Sequence, residues 1–179
     1  MDLSGDDAWA NLATDAPQPQ AAWIPAMPQD VTVRAPTRED FDAWSHLWAG
    51  YNAFYERKGP TAVPPEITRL TWDRFFDAYE PMHCLVAEHG GRLVGLVHYI
   101  YHRNTVMRGP TCYLQDLFTD ADLRGQGVGR ALIEAVYERA RAAGSPRVYW
   151  QTHETNATAM TLYDKVAGKS GFVVYRHDL

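Results

Sequence analysis

Three glycines stand at alternate positions in the stretch LRGQGVGRALIEAVYERARAAG, at Gly125, Gly127 and Gly129. Glycine is costly at a helix start unless the backbone must take a positive φ or let something approach closely. The group that gains most from such a turn is a phosphate, because a helix N-terminus offers unpaired N–H groups and a partial positive charge. The helix that follows is strongly patterned, and Gly144 closes it. Two familiar phosphate motifs do not fit. A dinucleotide fingerprint needs G-x-G-x-x-G in the first strand–turn–helix unit and an acidic residue at the end of the next strand. Here the spacing is G-x-G-x-G, late in the chain, and Trp150 and Gln151 end the following strand. No G-x-x-x-x-G-K-[ST] string occurs.

Other residues of chemical interest are spread over the chain. His98 and His102 fall on one face of a predicted strand, as parts of an acceptor pocket or of a metal site, but a third ligand at sensible spacing is missing. Trp44, Trp48, Tyr51 and Tyr55 recur at helical spacing, which reads as a core stripe. Cys84 and Cys112 lie in apolar, strand-like runs and form no CxxC pair, which reads as buried thiols in a reducing compartment.

These residues need elements to position them. VTVRAPT reads as a first strand, and Thr37 as the N-cap of a helix through Phe41, Trp44, Leu47 and Trp48. GPTAVPP breaks that helix, and proline opens the next, PEITRLTWDRFFDAY. MHCLVAEHGGRLVGLVHYIYHR is a hairpin joined by Gly90-Gly91. TCYLQDLFT, RVYWQTH and GFVVYRHDL are further strands, and NATAMTLYDKVAG is a short helix with Asn156 as N-cap and Gly168 as stop. The order is β-α-α-β-β-β-α-β-α-β, an α/β layout with a mixed central sheet flanked by helices.

The bulk properties exclude several classes. The chain has 179 residues, enough for one sizeable domain. Its net charge is −5, which gives no footprint for nucleic acid and suits a cationic substrate. No apolar run is long enough to span a bilayer, and MDLSGDDAW has no signal-like apolar region, so the expectation is a cytoplasmic protein away from membranes. Residues 1–29 are rich in Ala, Pro, Gln and Asp and read as an irregular arm before a domain at 30–179.

The flanks of the glycine turn carry more. LFTDADLRGQGVGRALI resembles the coenzyme A-binding motif [RQ]-x-x-G-x-[GA] of the GNAT superfamily of N-acetyltransferases, through Arg124, Gly127 and Gly129. NATAMTLYDKVAGKSGFVVYR resembles the second motif of that superfamily, through Asn156, Leu162 and Tyr163. The resemblance covers residues 30–179. Within the superfamily, YLQDLFTDADLRGQGVG and the WAGYNAFY helix resemble diamine (polyamine) acetyltransferases and yeast-type histone and D-amino-acid acetyltransferases.

The resemblance implies acetyl-CoA as co-substrate, direct transfer to an amine and no metal. It implies that Arg124, Gly125, Gln126, Gly127, Val128, Gly129 and Arg130 hold the phosphates, with Asn156 also on the cofactor. The main chain of Phe118 and Thr119 would hold the pantetheine arm as an added strand. Tyr163 would be the general acid. Where the diamine enzymes read Y-L-E-D with glutamate as base, this chain reads YLQD. Gln115 cannot accept a proton at neutral pH but can orient the amine or a water. Asp116 binds a cationic amine or is a structural carboxylate. Tyr51, Tyr55, Glu56 and His102 would line the acceptor site. The expected acceptor is a small amine, polyamine or amino-acid-like. A protein lysine or N-terminus, or a non-catalytic acyl-CoA-binding role, are the alternatives. The resemblance also implies a homodimer paired through the C-terminal strand.

Overall fold

The computed structural model describes residues 30–179, and the expected N-terminal arm lies outside them. The described residues form two units, 30–151 and 152–179.

The first unit holds a five-stranded sheet in the order β1-β2-β3-β4-β5. Its elements are β1 (Val31–Arg34), α1 (Phe41–Phe54), α2 (Pro65–Arg74), β2 (Met82–His89), β3 (Arg92–His102), β4 (Thr111–Thr119), α3 (Val128–Ala142) and β5 (Val148–Tyr149). The first four strands are antiparallel neighbours, and β5 returns parallel to β4 after the α3 crossover. The mixed sheet is therefore as the sequence predicts. A single turn of 3-10 helix, Arg38–Asp40, separates Thr37 from α1. Thr37 lends its backbone N–H to Asp40 at 2.7 Å instead of capping α1 directly.

One face of the sheet packs on α1 and α2. Trp44, Leu47, Trp48, Tyr51 and Trp72 bury there against Cys84, Val86 and Leu96. Trp44 and Trp72 join the two helices at 4.9 Å between ring centroids. The aromatic stripe is thus mainly core, held by burial and by tilted and edge contacts between rings. The other face packs on α3, whose Val128, Leu132, Ile133 and Val136 are fully buried. A Cβ on Gly95 of β3 would stand 3.0 Å from Leu132 and 3.2 Å from Val128. The first turn of α3 therefore lies close on the sheet, at the end of β4. Cys84 and Cys112 are buried free thiols. Burial pushes both up, Cys112 to about 12.

Arg34 at the end of β1 pairs with Asp40 at 2.7 Å and with Glu88 at 2.8 Å. The Arg34 hydrogen bond, against the opposing effect of burial, brings the Asp40 carboxyl down to about 2. An ordinary aspartate in the unfolded chain titrates near ~3.9. A carboxyl depressed on folding stabilises the fold above its unfolded pKa and loses that contribution as pH falls towards 2. The contribution is on the order of 1 kcal/mol after solvent screening of this half-exposed pair. Urea midpoints for wild type and Asp40→Asn should therefore differ at pH 7 and converge near pH 2. A difference that stays constant with pH would show that the ion pair is not its source.

The second unit contains α4 (Ala157–Val166). Asn156 takes the N-cap position, yet its side-chain amide donates to Thr152 Oγ1 at 3.1 Å and does not cap the helix. Two expected strands are corrected. RVYWQTH forms a ladder only over Val148–Tyr149. GFVVYRHDL has no ladder partner among the described residues, with Phe172 90% and Tyr175 93% exposed. A strand exists only through its pairing, and alternation in sequence supplies the pattern without supplying the neighbour.

Candidate active site

The turn before α3 is built as its glycines suggest. Gly125 has φ 76° and Gly127 φ 90°, both in the left-handed region. Gly129 lies inside α3 and needs no such freedom. The first helical hydrogen bond runs from Ala131 N to Gly127 O, at 3.0 Å. The N–H groups of Val128, Gly129 and Arg130 precede it and are the open donors of the helix start. Arg130 reaches along the helix to Glu134 at 3.6 Å. Gln126 and Arg124 brace the turn, Gln126 Nε2 donating to Asp122 O at 3.1 Å and Arg124 Nε to Thr119 O at 3.3 Å.

That second bond ties the turn to β4, whose edge is open there. The β4–β5 ladder consists of Cys112 with Val148 and Tyr113 with Tyr149, and stops. Among the described residues no strand lies on the β5 side of β4 from Leu114 to Thr119. Asp120 N–H turns back to Val94 O on β3 at 2.9 Å, so strand alternation turns the Thr119 main-chain groups to the open side. Phe118 packs its ring on α1 beside Gly50 and faces the Arg124 guanidinium at 5.9 Å. An open strand edge leading to a helix N-terminus suits an extended ligand that ends in a diphosphate. The residues present therefore fit coenzyme A.

Midway along β4 the sheet carries a bulge. His98 is in register with Asp116 and Tyr99 with Leu114, so Gln115 is the extra residue and is exposed. The bulge reverses the alternation of β4. Tyr113 and Asp116, three residues apart, both face α1, while Leu114 and Leu117 face α3.

Beneath Gln115 lies a buried polar chain. Trp44 Nε1 donates to His98 Nε2 at 3.0 Å, and His98 Nδ1 lies 3.0 Å from Asp116 Oδ2. An indole can only donate, so Nε2 is the acceptor and the ring proton sits on Nδ1, where it donates to Asp116. The same carboxylate acts on the Tyr51 hydroxyl, and burial together with the Asp116 charge pushes the phenol well above its ordinary range. His98 is 3% exposed, Asp116 6% and Tyr51 6%. Both His98 nitrogens are engaged, so this histidine is neither a free base nor a metal ligand. His102 does not join it. That ring lies at the far end of β3, with Nδ1 at 2.9 Å from Arg103 O and Nε2 at 3.0 Å from Tyr149 OH. Among the described residues no group of three His, Cys, Asp or Glu side chains could hold a metal ion.

The remaining expected acceptor residues cluster where α1 ends. Tyr55 lies 5.0 Å from Tyr51, and Glu56 has φ 55°, a left-handed turn unusual for a residue with a side chain. Tyr113 lies 5.0 Å from Tyr149, and burial first, then the Asp116 charge, raises its phenol too. Sequence reading missed Tyr113, although Leu114 and Leu117 at odd spacing are the trace of the bulge. It missed Arg57 as well, which no periodicity could reveal. Tyr163 stands half-buried on α4 in the second unit, and its backbone carbonyl accepts the Ala167 N–H at 2.9 Å.

Comparison with known proteins agrees with this geometry. Residues 42–168 match the family described as Acetyltransferase (GNAT) family. D-amino-acid N-acetyltransferase HPA3 of Saccharomyces cerevisiae is 36% identical over 150 residues, covering 83% of this chain and 91% of that protein. Thialysine N-epsilon-acetyltransferase of Bos taurus is 34% identical over 89 residues, which span 45% of this chain and 52% of that protein. Among solved structures, an aminoglycoside acetyltransferase from an uncultured soil metagenomic sample, in complex with sisomicin, superposes with a TM-score of 0.70. It covers 83% of this chain and 96% of that one at 18% identity, a likeness of fold.

Proposed function

The chain belongs to the GNAT acetyltransferase family, and we propose that it transfers the acetyl group of acetyl-CoA directly to the primary amine of a polyamine or amino-acid-like small molecule. The observation that carries this reading is the left-handed Gly125–Gly127 turn at the start of α3, tied by Arg124 to the open edge of β4. The thioester supplies the activated acetyl group.

The residues of the chain do the rest. The turn from Arg124 through Gly125, Gln126, Gly127, Val128 and Gly129 to Arg130 binds the diphosphate through backbone N–H groups and the helix dipole. The main chain at Thr119, next to Phe118, takes the pantetheine arm as an added strand, while the Phe118 groups face β3. Asn156, at the start of α4, is the further cofactor contact. The exposed Gln115 side chain accepts an N–H of the incoming amine and aims its lone pair. It does not take the proton, which leaves through water. Asp116 acts with Gln115 by holding the bulge in place through His98 and Tyr51. Tyr51, Tyr55 and Glu56 line the acceptor side, and His102, held at the far end of β3, is left out of it. Tyr163 donates the phenolic proton to the departing thiolate. No metal takes part.

Residues 30–179 form the acetyltransferase domain of this reading. No helix among the described residues is long and apolar enough to cross a membrane, and the proposed setting is the cytoplasm. We further propose a homodimer. Phe172, Val173, Val174 and Tyr175 form an exposed run of strand-favouring apolar residues, which a second copy would pair and cover.

The test is release of free coenzyme A thiol from acetyl-CoA with diamines, spermidine, amino acids and a lysine peptide as acceptors. Turnover of a small amine above that of the peptide is expected. Turnover of the peptide alone would replace this reading with a protein acetyltransferase.

A further inference from the structure

A cation stands ready at the acceptor end of α1. Arg57 follows the left-handed Glu56, and its backbone N–H donates to Asn52 O at 3.0 Å. Its Nη1 donates to Asn52 Oδ1 at 2.9 Å. Asn52 is itself buried and fixed, its Nδ2 donating to Trp48 O at 2.8 Å. The guanidinium lies 5.8 Å from the Tyr51 ring centroid and 5.5 Å from that of Tyr55. One hydrogen bond given to a buried amide oxygen, a second given by its own backbone N–H, and two aromatic walls therefore hold an exposed arginine in place. Among the described residues no carboxylate pairs with it.

The place of this cation matters. The Tyr51 hydroxyl feels the Asp116 carboxylate and its ring lies by Arg57, so one phenol links the arginine to the bulge that carries Gln115. The carboxylate that a polyamine would seek is already engaged. Asp116 is buried, takes the His98 N–H and acts on the Tyr51 hydroxyl. The nearby loop reads Glu56, Arg57, Lys58, one acid between the tyrosines and two cations. A dication would meet net positive charge there, whereas a carboxylate would meet a planar, prearranged fork of donors.

We propose that Arg57 binds a carboxylate on the amine substrate, so that the acceptors are amino acids and not polyamines. This rests on the acetyltransferase reading and narrows it. An amine aimed by Gln115 and a carboxylate on Arg57 would fix the substrate at two points, with the tyrosine rings along its stem.

The experiment compares amino acids with their uncharged amides as acceptors, in wild type, Arg57→Gln and Arg57→Glu. Wild type should favour the acids at least tenfold in kcat/KM. Arg57→Gln should remove that preference and leave the amides within twofold. Arg57→Glu should favour diamines. In parallel, calorimetry on the coenzyme A complex should show N-acetyl amino acids binding at least tenfold tighter than their amides to wild type and equally to Arg57→Gln. An acid preference that survives in Arg57→Gln would overturn the proposal. If no amine is acetylated, the enzymatic reading falls, and the calorimetry still decides whether Arg57 is a carboxylate site.

Discussion

Gly127→Val should raise the KM for acetyl-CoA by about 100-fold, or roughly 2.8 kcal/mol at about 1.4 kcal/mol per tenfold. Gly127 has φ 90°, in the left-handed region at the very start of α3. A side chain costs about 1–2 kcal/mol in that conformation, and more when it is β-branched. The chain would relax by turning the Val128, Gly129 and Arg130 N–H groups away from the diphosphate, and the new methyl groups would stand in its way. Gly168→Ala is the control, because that glycine has no positive φ and open space around it. It should leave the KM unchanged. Calorimetric binding of coenzyme A separates the effect from catalysis. A change below threefold in Gly127→Val would mean that the turn does not hold the diphosphate.

Asp116→Leu should destabilise the protein by about 1–3 kcal/mol, the usual consequence of leaving a buried neutral donor without its acceptor. The substitution strands the His98 Nδ1–H without water to replace the carboxylate, and removes the charge that acts on the Tyr51 hydroxyl. For a chain of this size that is a fall in Tm of roughly 2–12 °C. Asp116→Asn keeps an acceptor for His98 and should cost about half as much. The double variant His98→Leu/Asp116→Leu should lose less than the sum of the two single changes, because neither partner is then left behind. Additive losses in thermal or urea unfolding would show that the two side chains are not coupled. In any variant that folds, loss of Asp116 frees the bulge, so kcat should fall more than the affinity for acetyl-CoA.

Much of this was legible beforehand, for identifiable reasons. The α3 turn announces itself because left-handed backbone requires glycine, so the conformation is written into residue type. The hairpin, β4 and α3 follow from periodicity and punctuation, and the stripe on α1 from helical spacing. The bulge at Gln115 was harder. One extra residue reverses which face each later side chain meets, and only the odd spacing of Leu114 and Leu117 hints at it. Asp116 reads in sequence as an available acid beside Gln115. Its partners come from α1 and β3, and His98 is 18 positions away, so long-range pairing decides its environment. Arg57 has no sequence signal, because its hold on Asn52 depends on how α1 ends. The C-terminal strand fails for the opposite reason, its pattern being present and its ladder partner absent among the described residues.

The most direct test of the account is a two-substrate initial-rate study of wild type and Tyr163→Phe, with acetyl-CoA and a small amine both varied. Direct transfer with Tyr163 as acid predicts intersecting double-reciprocal lines. It also predicts a kcat at least tenfold lower in the variant, about 1.4 kcal/mol in the barrier, with acetyl-CoA affinity unchanged. Parallel lines, or a variant as fast as wild type, would contradict it.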